Sequence, residues 1–227
     1  MAEDVTTMPA ALRIFDCDGV LVDSEVIVTR IESQLLRDVG VELTPESIAE
    51  AFVGLSEAEM HGRIEADWGV KLPEDFGSRK AALLDEVFRT ELRAVPGIPH
   101  VLEELDALRC VASSSASDRI RTSLAVTGLE KFFGPHVFSA SSVERGKPAP
   151  DLFLYAADAM QADPARCVVI EDSTPGVAAG LAAGMRVVGF TGAGHCLPTL
   201  SDQLREAGAH TIAPDAAALL DVLVPSP

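Results

Sequence analysis

The sequence predicts an α/β fold: a doubly wound, Rossmann-like parallel sheet with an all-helical domain inserted after its first strand. Three observations predict it. Short apolar runs such as Ala11-Leu12-Arg13-Ile14-Phe15, Cys167-Val168-Val169-Ile170 and Val187-Val188-Gly189-Phe190 read as strands buried on both faces. From residue 95 onward such runs alternate with segments of helical period, the pattern of a parallel sheet covered by helices. Residues 24 to about 93, by contrast, hold successive helical segments and almost no strand signal. The expected division is a core domain of residues 1–23 and 95–227 and a helical domain of residues 24–94.

In the inserted stretch, Ile27, Ile31 and Leu35 recur at helical spacing, Asp23 or Ser24 is placed to cap the first helix, and Gly40 ends it. Thr44-Pro45 opens a second helix through Phe52, with the proline where its missing N–H costs nothing. Ser56 caps a third helix to about Asp67, and a fourth follows Pro73 and ends near Arg93. Val95-Pro96-Gly97 breaks the run. Then come a helix from His100 to Leu108, a strand at Cys110-Val111-Ala112, a helix from Asp118 to Val126 closed by Gly128, and a short strand at Val137-Phe138-Ser139. A helix after Pro150 reaches about Met160, the strand at 167–170 follows, and a helix beginning at Pro175 carries Gly176, Gly180 and Gly184, a smooth face for close approach to the sheet. After the strand at 187–190, Thr211-Ile212-Ala213 is the last, followed by a short terminal helix.

Composition excludes several classes of function. Of the 227 residues 48% are apolar, ample for a core, but only 5% are aromatic, so the core is aliphatic. A formal net charge of −17 argues against nucleic acid and anionic membranes as partners. A small anionic substrate would need a locally positive pocket. The spacing of Cys17, Cys110, Cys167 and Cys196 matches no zinc pattern, which leaves buried thiols. No signal peptide or transmembrane run is recognisable, so a cytoplasmic protein is expected, and a monomer.

The chemistry gathers at the predicted carboxyl ends of the strands, where ligands sit in open parallel sheets. Asp16 and Asp18 are two residues apart, hence on one side of an extended chain, and Gly19 permits a tight turn just beyond. Two carboxylates that close call for a cation or a shared proton. The second core strand ends at Ser113, Lys147 precedes the helix after Pro150, and the strand at 167–170 ends in Glu171-Asp172. One such residue is an ordinary turn or cap. Four carboxylates, a hydroxyl and a lysine at one edge make a site for a hard cation with a complement for phosphate.

These motifs, in this order, resemble the haloacid dehalogenase superfamily: Asp16-Cys17-Asp18-Gly19, Ser113, Lys147 and Glu171-Asp172. Gly19-Val20-Leu21-Val22-Asp23-Ser24-Glu25, Gly146-Lys147-Pro148-Ala149-Pro150-Asp151 and Glu171-Asp172-Ser173 resemble its β-phosphoglucomutase-like subgroup, and residues 24–94 resemble its small helical cap. The resemblance implies Asp16 as nucleophile, Asp18 as general acid and base, and Ser113, Ser114 and Lys147 as the phosphate cradle. It implies Mg²⁺ on the Asp16 side chain, the Asp18 carbonyl and Asp172, with Glu171 direct or through water. Cap residues Glu57, Glu59, His61 and Arg63 are candidates for specificity; His195 is a candidate neighbour of the site. Asp23 is expected as a helix cap, and Ser115 and Asp118 as a turn and a cap.

Within that resemblance, Asp18 speaks against a dehalogenase and against a phosphonate-cleaving relative, both of which lack the second aspartate. A β-phosphoglucomutase carries a histidine where this chain has Val28, and an arginine where Gly54-Leu55-Ser56-Glu57 has Glu57. The expected function is a Mg²⁺-dependent phosphomonoesterase acting on a sugar phosphate or sugar-acid phosphate. A phosphosugar mutase and a non-catalytic binding protein on the same fold are the alternatives.

Overall fold

The computed structural model describes residues 11–52 and 57–224. The chain opens with β1 (Leu12–Phe15) and then runs through α1 (Glu25–Asp38), α2 (Pro45–Ala51), α3 (Glu57–Trp68) and α4 (Phe76–Glu91). It continues as α5 (Ile98–Glu104), β2 (Arg109–Ser113), α6 (Ser117–Val126), α7 (Glu130–Phe133), β3 (Val137–Ser139) and α8 (Asp151–Ala159). It closes with β4 (Cys167–Glu171), α9 (Thr174–Ala182), β5 (Arg186–Phe190), α10 (Leu200–Glu206), β6 (Thr211–Ala213) and α11 (Ala216–Leu223).

The strands form one parallel sheet in the order β3-β2-β1-β4-β5-β6. Alternate residues along each strand face opposite layers. Leu12, Ile14, Cys110, Ala112, Val169 and Val187 are buried with residues of α8, α9 and α10. Phe15, Val111, Ile170 and Val188 are buried on the other side with residues of α5, α6 and α11. This period of two explains how strands with almost no polar residue lie between two helical layers. The chain steps from β1 outward to β2 and β3, then returns to β4 on the other side of β1. That reversal opens a crevice at the carboxyl ends of β1, β2 and β4.

Helices α1–α4 stand between β1 and α5, where an inserted domain is expected. Ile27, Ile31, Leu35 and Leu36 of α1 are buried. The buried row of α4 is Phe76, Lys80, Leu84 and Phe88, a four-residue stripe with one charged member. The ingoing and outgoing chains are laced together. Val22 bridges Ala94, Asp23 N–H donates to the Arg93 carbonyl at 3.0 Å, and Val95 N–H donates to the Leu21 carbonyl at 3.0 Å.

Several expectations are corrected in detail. The helix expected from His100 to Leu108 spans Ile98–Glu104, because Pro99 fits the first turn, and the chain is already extended at Leu105. Helices α7 and α10 carry no strong sequence signal; α10 buries only Leu200 and Leu204. The expected Ser56 cap falls outside the described residues. Gly180 bears out the smooth face of α9, since a Cβ there would lie 2.6 Å from Val187 Cγ2, whereas Gly184 lies past the helix end.

Candidate active site

Asp16 follows β1 directly, and its backbone N–H donates to the Ile170 carbonyl at 3.0 Å, so the edge of the sheet sets its position. The turn after it is tight: Leu21 and Val22 N–H both donate to the Cys17 carbonyl, and Gly19 N–H to the Val22 carbonyl. Gly19 has φ +77°, and a Cβ there would lie 1.8 Å from Asp172 Oδ2, so only glycine fits.

Lys147 is the centre of the charge network. Its ammonium donates to Asp16 Oδ1 at 2.7 Å, Glu171 Oε1 at 2.6 Å and the Ala112 carbonyl at 3.1 Å. Burial works against its charge, but Asp16 and Glu171 outweigh burial and hold it protonated far above the neutral range. The other Glu171 oxygen accepts from the Ser173 backbone N–H at 3.1 Å and its hydroxyl at 2.8 Å. Both Glu171 oxygens thus have donors, and this side chain, 0% exposed, holds the lysine.

Asp16 is pushed well above the usual carboxylate range, first by burial and then by Glu171, Asp172 and Asp18, with Lys147 pulling the other way. Burial also raises Asp172, with Glu171 adding to it, while His195, whose Nε2 lies 3.3 Å from Asp172 Oδ2, pulls the other way. One oxygen each from Asp16, Glu171 and Asp172 lies within 4.8 Å of the others. Closely held carboxylates in so little water, with one lysine among them, fit a hard divalent cation. Asp16 and Asp172 are the better ligands, because Glu171 is already engaged on both oxygens. The Asp18 carbonyl also fits, since it accepts no hydrogen bond among the described residues.

Asp18 is held from both sides. The Ser24 hydroxyl donates to Oδ1 and the Ser115 hydroxyl to Oδ2, each at 2.7 Å. Two expectations change here. Ser24 stands at the start of α1 but makes no cap hydrogen bond. Asp23 does not cap either; its Oδ1 accepts from Gly194 N–H at 3.1 Å, tying the start of the inserted helices to the loop after β5. Ser115 is therefore more than a turn residue, and among the described residues Asp118 bonds only its neighbour's N–H, at Arg119.

Asp16, Asp18, Ser113, Ser114, Lys147 and Asp172 all line one cavity of about 670 Å³, within the size range of small-ligand sites. The structure thus brings the core candidates together, with Glu171 sealed just behind them. It does not bring Glu59, His61 or Arg63 with them. His61 packs edge-on against Phe76 and lines a separate surface cleft. Arg63 stacks over Phe52, donates to the Ala51 carbonyl and pairs with Asp67. Glu59 is exposed and does not line the cavity. The side chain of Glu57 and the loop before it lie outside the described residues. On the side of the inserted helices the wall is built by Glu25, Val28, Thr29 and Glu32 of α1 and Lys80 and Leu84 of α4, with Ile48 and Ala49 of α2, Phe52 just after α2 and Met60 of α3 adding apolar surface. Those four positions of α1 are spaced i, i+3, i+4 and i+7, one helical face. The signal was present in the sequence, but the apolar row Ile27-Ile31-Leu35 on the neighbouring face is louder. His195, Arg119, Thr199 and Gln203 are among the residues that line it from the core side.

A family model of haloacid dehalogenase-like hydrolases matches residues 12–184. The chain is 32% identical over 185 residues to a 6-phosphogluconate phosphatase of Escherichia coli (strain K12), covering 81% of this chain and 84% of that one. A conserved haloacid dehalogenase-like protein of unknown function from Agrobacterium tumefaciens str. C58 superposes with a TM-score of 0.89 at 38% identity, over 94% of this chain and 97% of its own. A HAD family hydrolase from Deinococcus radiodurans R1, solved with bound phosphate and sodium, superposes with a TM-score of 0.83 at 33% identity, over 95% of each chain. With its motifs gathered at one sheet edge and most of its length matched, the chain belongs to the haloacid dehalogenase-like hydrolases.

Proposed function

We propose that this protein is a Mg²⁺-dependent phosphomonoesterase that hydrolyses a small sugar phosphate or sugar-acid phosphate, such as a phosphogluconate, through an aspartyl phosphate. The observation that carries this reading is the gathering of Asp16, Asp18, Ser113, Lys147 and Asp172 on the wall of one cavity. The 6-phosphogluconate phosphatase of Escherichia coli, 32% identical, supports the substrate class. Val28 supports hydrolysis over mutase chemistry: an apolar residue lines the cavity where the mutase carries a histidine.

Asp16 attacks phosphorus with the oxygen not held by Lys147, and the bond from phosphorus to the ester oxygen breaks. Asp18 gives its proton to the departing alkoxide. Asp18, now a carboxylate, takes a proton from water as that water attacks the phosphorus, and Asp16 leaves with inorganic phosphate released. Ser113, the Ser114 amide and Lys147 hold the phosphoryl oxygens, so that positioning and electrostatics supply most of the rate. Mg²⁺ on Asp16, Asp172 and the Asp18 carbonyl would offset the negative charge shared by the carboxylates and the phosphoryl group. Residues 24–94 act as a cap over a core of residues 1–23 and 95–227. Through Ser24 on the cap side and Ser115 on the core side, the carboxyl of Asp18 is oriented by both parts.

The test is phosphate release from sugar phosphates, sugar-acid phosphates and nucleotides, with Mg²⁺ and with chelator. Release that requires Mg²⁺ and concentrates on one chemical group is expected. No release from any ester, together with isomerisation of a hexose 1-phosphate primed by a bisphosphate, would replace the phosphatase with a mutase.

A further inference from the structure

The cavity wall carries four basic side chains: Lys80, Arg119, Lys147 and His195. Three are committed to carboxylates. Lys147 holds Asp16 and Glu171, Lys80 pairs with Glu32 at 2.9 Å, and His195 lies 3.3 Å from Asp172. Arg119 makes no ion pair with any described residue. Its guanidinium lies over the ring of Phe88 on α4, 4.9 Å from the centroid, and its Nε is buried without a hydrogen-bond partner.

Stacking on Phe88 leaves the guanidinium edge available for hydrogen bonds. The edge open to the cavity is the pair of Nη groups, and this fork matches the two oxygens of a planar carboxylate. The rest of the wall argues for a ligand with one negative charge at this point. Glu25 and Glu32 share the wall; Glu25 feels the charge of Arg119, but Arg119 is the single basic group on the wall with no carboxylate at ion-pair distance among the described residues. A dianionic second phosphate would meet more repulsion there than one guanidinium offsets, whereas a carboxylate is matched charge for charge.

We propose that Arg119 receives a carboxylate on the non-reacting end of the substrate, which makes the enzyme selective for phosphate esters of hydroxy acids over those of neutral polyols. This rests on the phosphatase reading of the same cavity. It assigns the substrate's second recognition point to α6 of the core, stacked against α4, and not to the cap positions expected from sequence.

The test compares 6-phosphogluconate with glucitol 6-phosphate, which differ in having a carboxylate or a hydroxymethyl group at the far end. Binding of each is measured by calorimetry to Asp16→Asn protein, which holds ester without turning it over, and to the Asp16→Asn/Arg119→Met double variant. Turnover of both esters is measured in the Arg119→Met and Arg119→Lys enzymes. The expected result is a preference for the acid ester that falls roughly 10- to 100-fold in Arg119→Met, in affinity and in the ratio of kcat/KM values. Arg119→Lys, which keeps the charge but loses the planar fork, restores part of the preference. An unchanged ratio, including an equal loss on both esters, overturns the proposal. Failure of the parent enzyme to release phosphate from any ester refutes the phosphatase reading instead, and the binding comparison still decides the role of Arg119. A melting temperature for Arg119→Met close to that of the parent confirms that a folded site is being compared.

Discussion

Asp16 has one oxygen held by Lys147, sits beside Asp172, and is pushed toward protonation by burial and like charge. Its replacement by asparagine keeps the size and removes the proposed nucleophile. Asp16→Asn should lose at least about 10³-fold in kcat while its melting temperature stays at or above that of the parent, because one of the crowded charges is gone. Substantial residual turnover would mean that another group attacks phosphorus. Glu25 offers a prediction about pH. Burial and then Asp18 raise its carboxyl from 4.5 to about 7. A group whose folded pKa is raised holds its proton more tightly when folded. Its favourable contribution is full below pH 4.5 and is lost as pH rises through about 7. In metal-free protein, Glu25→Gln should therefore gain stability relative to wild type across that window, by up to about 3 kcal/mol at pH 8. Thermal unfolding of both proteins from pH 4.5 to pH 8 in chelator checks this; parallel curves would show that Glu25 titrates normally.

At the scale of elements, the pairing of α1 with α4 carries the most energetic risk. Glu32 and Lys80 face each other with side chains 5% and 10% exposed. Breaking such a pair from one side leaves an uncompensated buried charge, at about 3–5 kcal/mol, whereas replacing both partners by apolar residues of similar size is close to neutral. Lys80→Met should thus be strongly destabilised, and Lys80→Met/Glu32→Leu should recover most of the loss in denaturant unfolding. If the double variant were as unstable as the single one, the pair would owe its worth to packing and not to charge. The stripe Phe76-Lys80-Leu84-Phe88 shows why evenly spaced apolar residues alone mislead: the charged member sits on the buried face because α1 supplies its partner.

For the whole molecule, the carboxyl edge of the sheet is an electrostatic liability that a cation relieves. Asp16 and Asp172 are both shifted upward by burial and their neighbours, in a chain whose net charge is already −17. Mg²⁺ binding only the folded form should stabilise it by about 2.7 kcal/mol at a hundredfold excess over Kd, or roughly 5–10 °C in melting temperature for a chain of this size. Chelator should reverse the shift, and Asp172→Asn should abolish it. A melting temperature indifferent to Mg²⁺ in wild type would remove the metal from the site. Among the described residues no helix is long and apolar enough to cross a membrane.

The strands, their parallel arrangement and the run of inserted helices were legible in the chain, because both hydrophobic periods are local: two for a strand buried on both faces, 3.6 for a helix. So were Asp16, Asp18, Ser113, Lys147 and Asp172, since strand ends in an open parallel sheet are forced to one edge. Which cap side chains meet that edge was not legible. His61 and Arg63 lie on α3 away from the cavity, while the helical face of Glu25, Val28, Thr29 and Glu32 reaches it only through the docking of α1 against the core. The same holds for Ser24, Ser115 and Arg119, whose local readings as cap, turn and helix surface are ordinary. Their partners, Asp18 and Phe88, lie between 6 and 97 residues away in sequence. Periodicity determines what each segment becomes; only packing determines which polar atoms of different segments are left facing one another without water.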